Sequence, residues 1–529
     1  MTSLATIGLV LSTAHINEIE WHEGLLWVAT DGGLEVWGDD GHRVGHVAGE
    51  LPAVRTQAVG WFDGDLVVGT PQGTSRYDFE TDQWSDGPRQ DVVATLPEGT
   101  VTSEGIVLSD GDGTVLRAPS GAEVFTDAVS FQGAVVAGTV GGSVWIYDGD
   151  WFERRVAGPI RDVSVVGEEV RIAYGVGAAI LDEDWSIELV AVPATAAGPM
   201  WGTAAGELVD ESGTVMRLPS PITAITGMDE SRLAIGTEDG LYLVDDGLSR
   251  LTHTDQLCGN FITGITRWKG RLVVSTFDRG ACVLREDGWH RIEGLPSEML
   301  NGVLVDKDTL YVATSQGLAA VTEARVEVIS AVDESLVRNE PGLHHNSVTG
   351  LARGDRLWIT DLAGPIAVDN QGRWRRYRYD VWSTSNQRVA ACADQAWVAT
   401  EDAGVSWFNG RRWEHFDSLT GLPDDWIMAV ACSERGVGYA GSYQDGVWRH
   451  EDGQWVEMSG LPERWVLSLA VDGSSLWAGT MDGLYRWTES GWMSSPKLPD
   501  GRVHAIFIDG DSVWVGTENG LAVVALSAS

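Results

Sequence analysis

The chain has 529 residues, of which 43% are apolar and 25 are tryptophan, so it can bury several large cores. Asp and Glu number 77 against 36 Lys and Arg, which gives a net charge of −41. A surface this negative repels phosphate backbones, and we expect no nucleic-acid partner. Scarce lysine with abundant carboxylates is typical of proteins from a very salty cytoplasm, so we expect a halophilic source. An ordinary acidic protein from a GC-rich bacterium is the alternative.

Targeting signals and cysteine usage bear on the compartment. The apolar piece at residues 4–11 is too short for a membrane span and lacks the basic flank of a signal peptide. The cysteines show no C-x-x-C pair and no metal-type spacing, and we expect four buried free thiols, Cys258, Cys282, Cys392 and Cys432. These observations predict a cytoplasmic protein that does not contact a membrane.

A short pattern recurs fourteen times: an apolar strand that ends mostly in Thr or Ser, a tight turn that often contains Gly, and a second strand. LWVATDGGLEVW at residues 26–37 and VWVGTENGLAVV at residues 513–524 are two examples. The terminal residues of the first strand are Thr30, Thr70, Ser109, Thr139, Tyr174, Thr203, Thr237, Thr276, Thr314, Thr360, Thr400, Ser442, Thr480 and Thr517. Their spacing of 29 to 46 residues, mostly near 40, is that of a four-stranded β-propeller blade. The sequence therefore predicts an all-β fold of fourteen four-stranded repeats.

The repeats resemble two-component regulator propeller repeats, known from the sensor regions of hybrid histidine kinases. The resemblance rests on G-L-P loops that precede an apolar strand, as in TGLPDDWIMAV, SGLPERWVLSL and EGLPSEMLNGV, and on strand pairs such as LWAGTMDGLYRW. It covers nearly the whole chain, strongly from about residue 255 onward and weakly from 101 to 220. The resemblance implies two seven-bladed propellers and a sensing role, although we recognise no kinase segment and no DNA-binding module in the sequence.

The two ends of the sequence complement each other. Only three residues follow the third strand of the last repeat, at 521–526, so this blade lacks its outer strand. Residues 5–12 (ATIGLVLS) precede the first repeat in the position of an outer strand. Because an unpaired edge would leave backbone groups unsatisfied, the N-terminal strand is predicted to complete the last blade. We expect a first propeller over residues 1–254, with 1–12 closing the second, and a second propeller over 255–529, arranged in tandem or with one ring inserted in the other.

The loops that join the outer strand of one blade to the innermost strand of the next (d-to-a loops) carry the candidate site. Of the 25 tryptophans, 22 recur at equivalent positions of several blades and are assigned to packing, whereas three in these loops of the second propeller do not. Enrichment in aromatic residues and arginine is typical of binding hot spots, so these loops are predicted to form a binding site. The alternative is that the tryptophans pack between blades and bind nothing. The predicted site residues are Phe261, Met299, His344, His345, Asn346, Trp382, Arg388, Trp426, Trp465, Arg502 and His504.

Three functions fit these residues. The leading hypothesis is a monomeric, non-catalytic binding protein without metal or cofactor, which holds a protein partner or a small or extended ligand on this face of the second propeller. The second is a propeller enzyme, a lyase or hydrolase, with His344, His345, Arg502 and His504 as candidates for proton transfer and charge stabilisation. The third is a stand-alone sensory module that works beside a separate signalling protein.

Overall fold

The computed structural model describes residues 4–108, 115–116, 124–229, 231–245, 247–252, 256–332, 341–377, 381, 385–473, 475–495 and 498–526. Within these residues the secondary structure is β throughout, in fourteen four-stranded antiparallel sheets. In this part of the chain no helix is long and apolar enough to span a membrane. The predicted fold class, fourteen propeller repeats, is confirmed.

The chain divides into two compact units, Ser12–Thr254 and Met1–Leu11 with Asp255–Ser529. In each unit, the first strands of neighbouring blades contact one another around a complete ring of seven, so these strands (a) are innermost and the fourth strands (d) are outermost. The first propeller is therefore the unit Ser12–Thr254, and the second is the unit that includes the N-terminal strand.

Each blade of the first propeller runs from strand a to strand d in chain order. Blades 1 to 4 consist of Ile16–His22, Leu25–Thr30, Gly33–Gly38 and Arg43–Val47; Ala58–Phe62, Asp65–Thr70, Gly73–Asp78 and Gln83–Asp86; Val92–Leu96, Gly99–Thr102, Gly105–Leu108 and Val115–Leu116; and Phe125–Phe131, Ala134–Thr139, Ser143–Tyr147 and Trp151–Arg155. Blades 5 to 7 consist of Asp162–Val166, Glu169–Ala173, Ala178–Leu181 and Ile187–Val190; Ala194–Ala196, Trp201–Thr203, Glu207–Asp210 and Gly213–Arg217; and Ile222–Gly227, Leu233–Thr237, Gly240–Val244 and Leu248–Arg250.

The second propeller follows the same order from a to d, except that strand d of its last blade comes from the N-terminus. Blades 8 to 11 consist of Ile262–Trp268, Arg271–Thr276, Ala281–Arg285 and Gly288–Arg291; Leu300–Asp306, Thr309–Thr314, Gly317–Val321 and Val326–Ile329; Val348–Arg353, Leu357–Asp361, Gly364–Val368 and Trp374–Arg376; and Asn386–Cys392, Gln395–Thr400, Val405–Phe408 and Trp413–Phe416. Blades 12 to 14 consist of Ile427–Cys432, Gly438–Ser442, Val447–Glu451 and Gln454–Glu457; Val466–Asp472, Ser475–Thr480, Gly483–Thr488 and Gly491–Ser494; and Val503–Asp509, Ser512–Thr517, Gly520–Leu526 and Leu4–Val10.

The N-terminal strand closes the second propeller. Leu4–Val10 pairs antiparallel with Gly520–Leu526, and the register joins Leu9 to Ala522 and Val10 to Leu521. The strand supplies partners for the backbone groups of what would otherwise be an open sheet edge. The prediction that the two chain ends meet in the last blade is confirmed.

The threonine that ends strand b has a structural role that the repeat pattern did not reveal. In most blades its hydroxyl donates to the carbonyl oxygen three or four residues later, as from Thr517 to Gly520 at 2.9 Å and from Thr276 to Gly280 at 2.8 Å. The bond fixes the b-to-c turn, which explains why a hydroxyl residue recurs there. Blade 3 corrects one alignment, because its strand b ends at Thr102, whose hydroxyl makes the same bond; Ser109 lies outside the described residues.

The prediction of free thiols is wrong. The structure pairs Cys258 with Cys282 and Cys392 with Cys432 in disulfides, with Cα–Cα distances of 5.9 and 6.0 Å. The second pair ends the innermost strands of adjacent blades 11 and 12. Equivalent positions of consecutive repeats become spatial neighbours in a propeller, so a separation of 40 residues in sequence becomes a bridging distance in space.

Candidate ligand site of the second propeller

An axial cavity of about 220 Å³ lies inside the second propeller. All seven innermost strands contribute to its wall, so the cavity lies on the axis of the ring. Aliphatic side chains form much of the wall, and its polar side chains are Thr263, Asn301, Arg388, Ser468 and His504. No Asp or Glu of the described residues lines this cavity.

A β-bulge shapes this cavity at the same point in every blade. The pairing of each innermost strand with strand b of its blade shifts register after the first residue of the innermost strand. The third residue of that strand then lines the axis. In blade order these seven residues are Gly264, Gly302, Gly350, Arg388, Ala429, Ser468 and Ala505. Six of the seven side chains are small or absent, which leaves room on the axis for the single long one.

Arg388 is that long side chain, and its position differs from the prediction. The sequence alignment placed it in the d-to-a loop just before strand a, but the strand begins at Asn386 and the bulge directs Arg388 into the cavity. Its Nη1 donates to the carbonyl oxygens of Asn301 at 2.7 Å and Thr349 at 3.4 Å. Burial lowers the pKa of the guanidinium below its ordinary value.

Arg502 and His504 form a second group, around Glu518. The Arg502 guanidinium lies 2.6 Å from one carboxylate oxygen of Glu518, and His504 Nε2 lies 3.0 Å from the other. Arg502 also pairs with Asp500 at 3.1 Å. Burial acts to raise the pKa of Asp500, but the hydrogen bonds and charge of Arg502 outweigh it and leave this pKa below its ordinary value. Both predicted residues at this position, Arg502 and His504, are therefore held by carboxylates.

Three aromatic side chains lie together on the d-to-a face at blades 12 and 13, and we call them the aromatic rim. Trp426 stacks on Tyr443 with ring centroids 4.4 Å apart and an angle of 6° between the rings, and Tyr443 contacts Trp465 at 4.2 Å. Trp426 remains 38% exposed. The structure thus brings together two predicted residues, and Tyr443, which follows the Ser442 turn, is the member that the sequence analysis missed.

Two further predicted residues lie at blades 8 and 9. Phe261 stacks on Phe277 with centroids 5.0 Å apart and contacts the His504 ring at 4.8 Å. Met299 is 48% exposed. Phe261 therefore joins the group around Glu518, whereas Met299 offers an apolar surface to solvent.

The loop before blade 10 uses its histidines for its own structure. The His344 side chain is buried beside that of Asp361, with Nδ1 and Oδ1 3.4 Å apart, and Asp361 accepts the backbone N–H groups of His344 and His345 at 2.7 and 3.0 Å. His345 Nδ1 accepts the N–H of Ser347 at 3.0 Å, and Asn346 Oδ1 accepts that of Ala331 at 2.7 Å.

These contacts separate the predicted proton-transfer residues into two sets, one held by Asp361 and one by Glu518. Trp382, which the sequence analysis also placed in the site, lies outside the described residues.

No protein-family model matches the chain, and no curated protein matches it significantly. Among solved structures it is similar to PorZ, an essential bacterial surface component of the type-IX secretion system of Porphyromonas gingivalis, with 16% identity over 98% of this chain and 86% of that chain and a TM-score of 0.66. The extracellular domain of the putative hybrid two-component system BT3049 from B. thetaiotaomicron is 15% identical over 99% of this chain and 83% of that chain, with a TM-score of 0.45. Virginiamycin B lyase from Staphylococcus aureus is 12% identical over 51% of this chain and 96% of that chain, with a TM-score of 0.42.

These similarities concern the fold. The resemblance to the propellers of two-component regulators, inferred from the repeats, is confirmed as a likeness of architecture. At identities of 12% to 16% the similar structures do not identify a ligand or a reaction for this chain.

The predicted cytoplasmic location is wrong. PorZ, which is similar with a TM-score of 0.66, is a bacterial surface component. The two disulfides agree with this correction, because such bonds are rare in a reducing cytoplasm. The absence of C-x-x-C pairs and of metal-type spacing predicted free thiols, but the propeller brings cysteines that are distant in sequence within bridging distance. The halophilic source remains a prediction.

Proposed function

We propose that this chain is a non-catalytic binding protein that acts outside the cytoplasm and holds a protein partner or an extended ligand on the d-to-a face of its second propeller. The aromatic rim is the observation that carries this proposal. Exposed tryptophan is costly to leave in water, and stacked aromatic side chains provide large, rigid contact area with little loss of conformational entropy on binding.

Two other features support a binding role over a catalytic one. Arg502 and His504 are tied to carboxylates, and the His344 and His345 contacts hold the loop before blade 10. Each of these groups therefore has a structural use that requires no substrate. The monomeric state and the absence of nucleic-acid, membrane, metal and cofactor partners stay predictions.

A comparison of rim variants tests the proposal. The wild-type chain is screened on glycan and peptide arrays, and each ligand found is titrated against Trp426→Ala and Trp465→Ala. Removal of a central aromatic contact is expected to weaken binding by about thirtyfold or more. Phe152→Ala is the matched control, because Phe152 is an exposed aromatic residue of blade 4 in the first propeller. Equal affinities of wild type and both rim variants, with their circular dichroism unchanged, would refute the proposal.

A further inference from the structure

The axial cavity of the second propeller has a charge opposite to that of the chain as a whole. The protein carries a net charge of −41, yet the charged or titratable side chains that line this cavity are Arg388 and His504. His504 is paired with Glu518, which does not line the cavity. Arg388 forms no ion pair with any carboxylate of the described residues. No carboxylate of the described residues therefore balances the positive charge of Arg388.

The hydrogen bonds of Arg388 leave one edge of its guanidinium unused. Nη1 donates to the carbonyl oxygens of Asn301 and Thr349. Nε and Nη2 donate to no group of the described residues, and together they form the edge that binds a carboxylate, sulfate or phosphate through two parallel hydrogen bonds. A purely structural role, that of satisfying two strand-edge carbonyls, needs only Nη1.

The size of the cavity limits what can occupy it. A volume of about 220 Å³ is below the range of about 300 to 1,000 Å³ that is typical of drug-sized ligands. The bulge positions filled by Gly, Ala and Ser keep this space open around one guanidinium. A buried cation without a partner is costly, so an anion gains free energy by neutralising it.

We infer that the axial cavity of the second propeller binds a small oxyanion, with Arg388 as its bidentate ligand. The site is separate from the aromatic rim, so the inference goes beyond the proposed function and does not depend on it. The bound group is a carboxylate or a tetrahedral oxyanion such as sulfate or phosphate, and both present oxygens at the spacing that the Nε and Nη2 edge recognises.

Calorimetric titration of the full chain tests this inference. Sodium sulfate, sodium phosphate and sodium acetate are titrated separately, with ionic strength held constant by sodium chloride. We expect saturable binding of at least one anion at one site per chain. Arg388→Met is expected to weaken that binding by about thirtyfold or more, because it removes one partner of a buried charge pair. Arg353→Met is the matched control, because Arg353 also lies on an innermost strand but already pairs with Asp306 at 3.0 Å.

A second variant covers the case in which Arg388→Met does not fold. Ala429→Leu keeps the arginine but fills part of the cavity, and it should also abolish binding. Binding of acetate alone or of sulfate and phosphate alone would each support the inference and identify the class of anion. No binding of any of the three, or equal binding by wild type and the folded variants, would overturn it. The rim proposal survives such a result, because this experiment uses no rim variant.

Discussion

The first propeller is expected to lose stability as the pH rises from about 4.5 to about 8.5, because carboxyl groups converge on its axis. Glu18, Asp127 and Asp162 lie on innermost strands of blades 1, 4 and 5, and each accepts a backbone N–H of the next blade at 2.6 to 2.7 Å. None of them forms an ion pair with a basic group of the described residues. Burial raises the pKa of Glu18 to about 8 and that of Asp162 to about 6, and burial together with the charge of Asp162 raises the pKa of Asp127. Burial also raises the pKa of Glu20, on the same strand as Glu18, to about 7.

The sign and size of the effect follow from these pKa values. Each group binds its proton more tightly in the folded than in the unfolded chain, so its stabilising contribution is complete below the unfolded pKa and is lost as the pH rises through the folded pKa. The loss is about 1.4 kcal/mol per pH unit for each group between these two values. For Glu18 the change from 4.5 to about 8 sets an upper limit of about 5 kcal/mol.

Denaturant unfolding of the full chain, followed by circular dichroism across this pH range, measures the effect. Glu18→Gln keeps an oxygen that can accept the N–H of Val59 but cannot ionise, so this variant should flatten the pH dependence and be more stable than wild type near pH 8.5. Glu188→Gln, at an exposed position in the same propeller, should follow the wild type. Wild-type stability that is constant across the range, or a Glu18→Gln variant with the wild-type slope, would refute the reasoning.

Three further predictions concern the second propeller. Removal of residues 1–10 exposes the edge of Gly520–Leu526 and should lower the stability of this unit by several kcal/mol, about 1 kcal/mol for each lost backbone hydrogen bond. Calorimetry should then show the unfolding transition of the second propeller at a lower temperature and that of the first propeller unchanged. An unchanged transition of the second propeller would contradict closure by this strand. Thr517→Val should cost about 1 kcal/mol in chemical denaturation, because it removes the hydroxyl bond to Gly520, whereas Thr517→Ser should cost less. Peptide mapping without reductant should recover Cys392 linked to Cys432, and four titratable free thiols would contradict the pairing. Replacing both cysteines by Ser should lower the free energy of unfolding by about 2 to 4 kcal/mol.

The architecture could be predicted because it depends on features that repeat. Strand length, alternation and turn residues recur in each blade, so errors in one repeat are corrected by the others. Blade 3 shows the limit of this approach: its strands are short, and the alignment took Ser109 for the end of strand b where the structure has Thr102.

The site was harder to predict because it depends on departures from the repeat. The position of Arg388 is set by a bulge that shifts the strand by one residue, and no residue type marks that bulge in the sequence. Tyr443 and Glu518 lie in b-to-c turns, which meet the d-to-a loop of their own blade only once strands a and b have paired. Alignment of the third residue of each innermost strand would have shown one arginine among six small residues, and this is the signal that could have located the axial site.

Arg388 makes the axial cavity of the second propeller cationic within a strongly acidic chain. Crystals of the full chain soaked in sodium selenate test it directly, because selenium gives an anomalous signal that locates the anion. We predict an anomalous peak in the axial cavity, with selenate oxygens about 3 Å from Nε and Nη2 of Arg388, and no such peak in Arg388→Met crystals. A wild-type cavity without a peak, in crystals whose surface sites contain selenate, would contradict the claim.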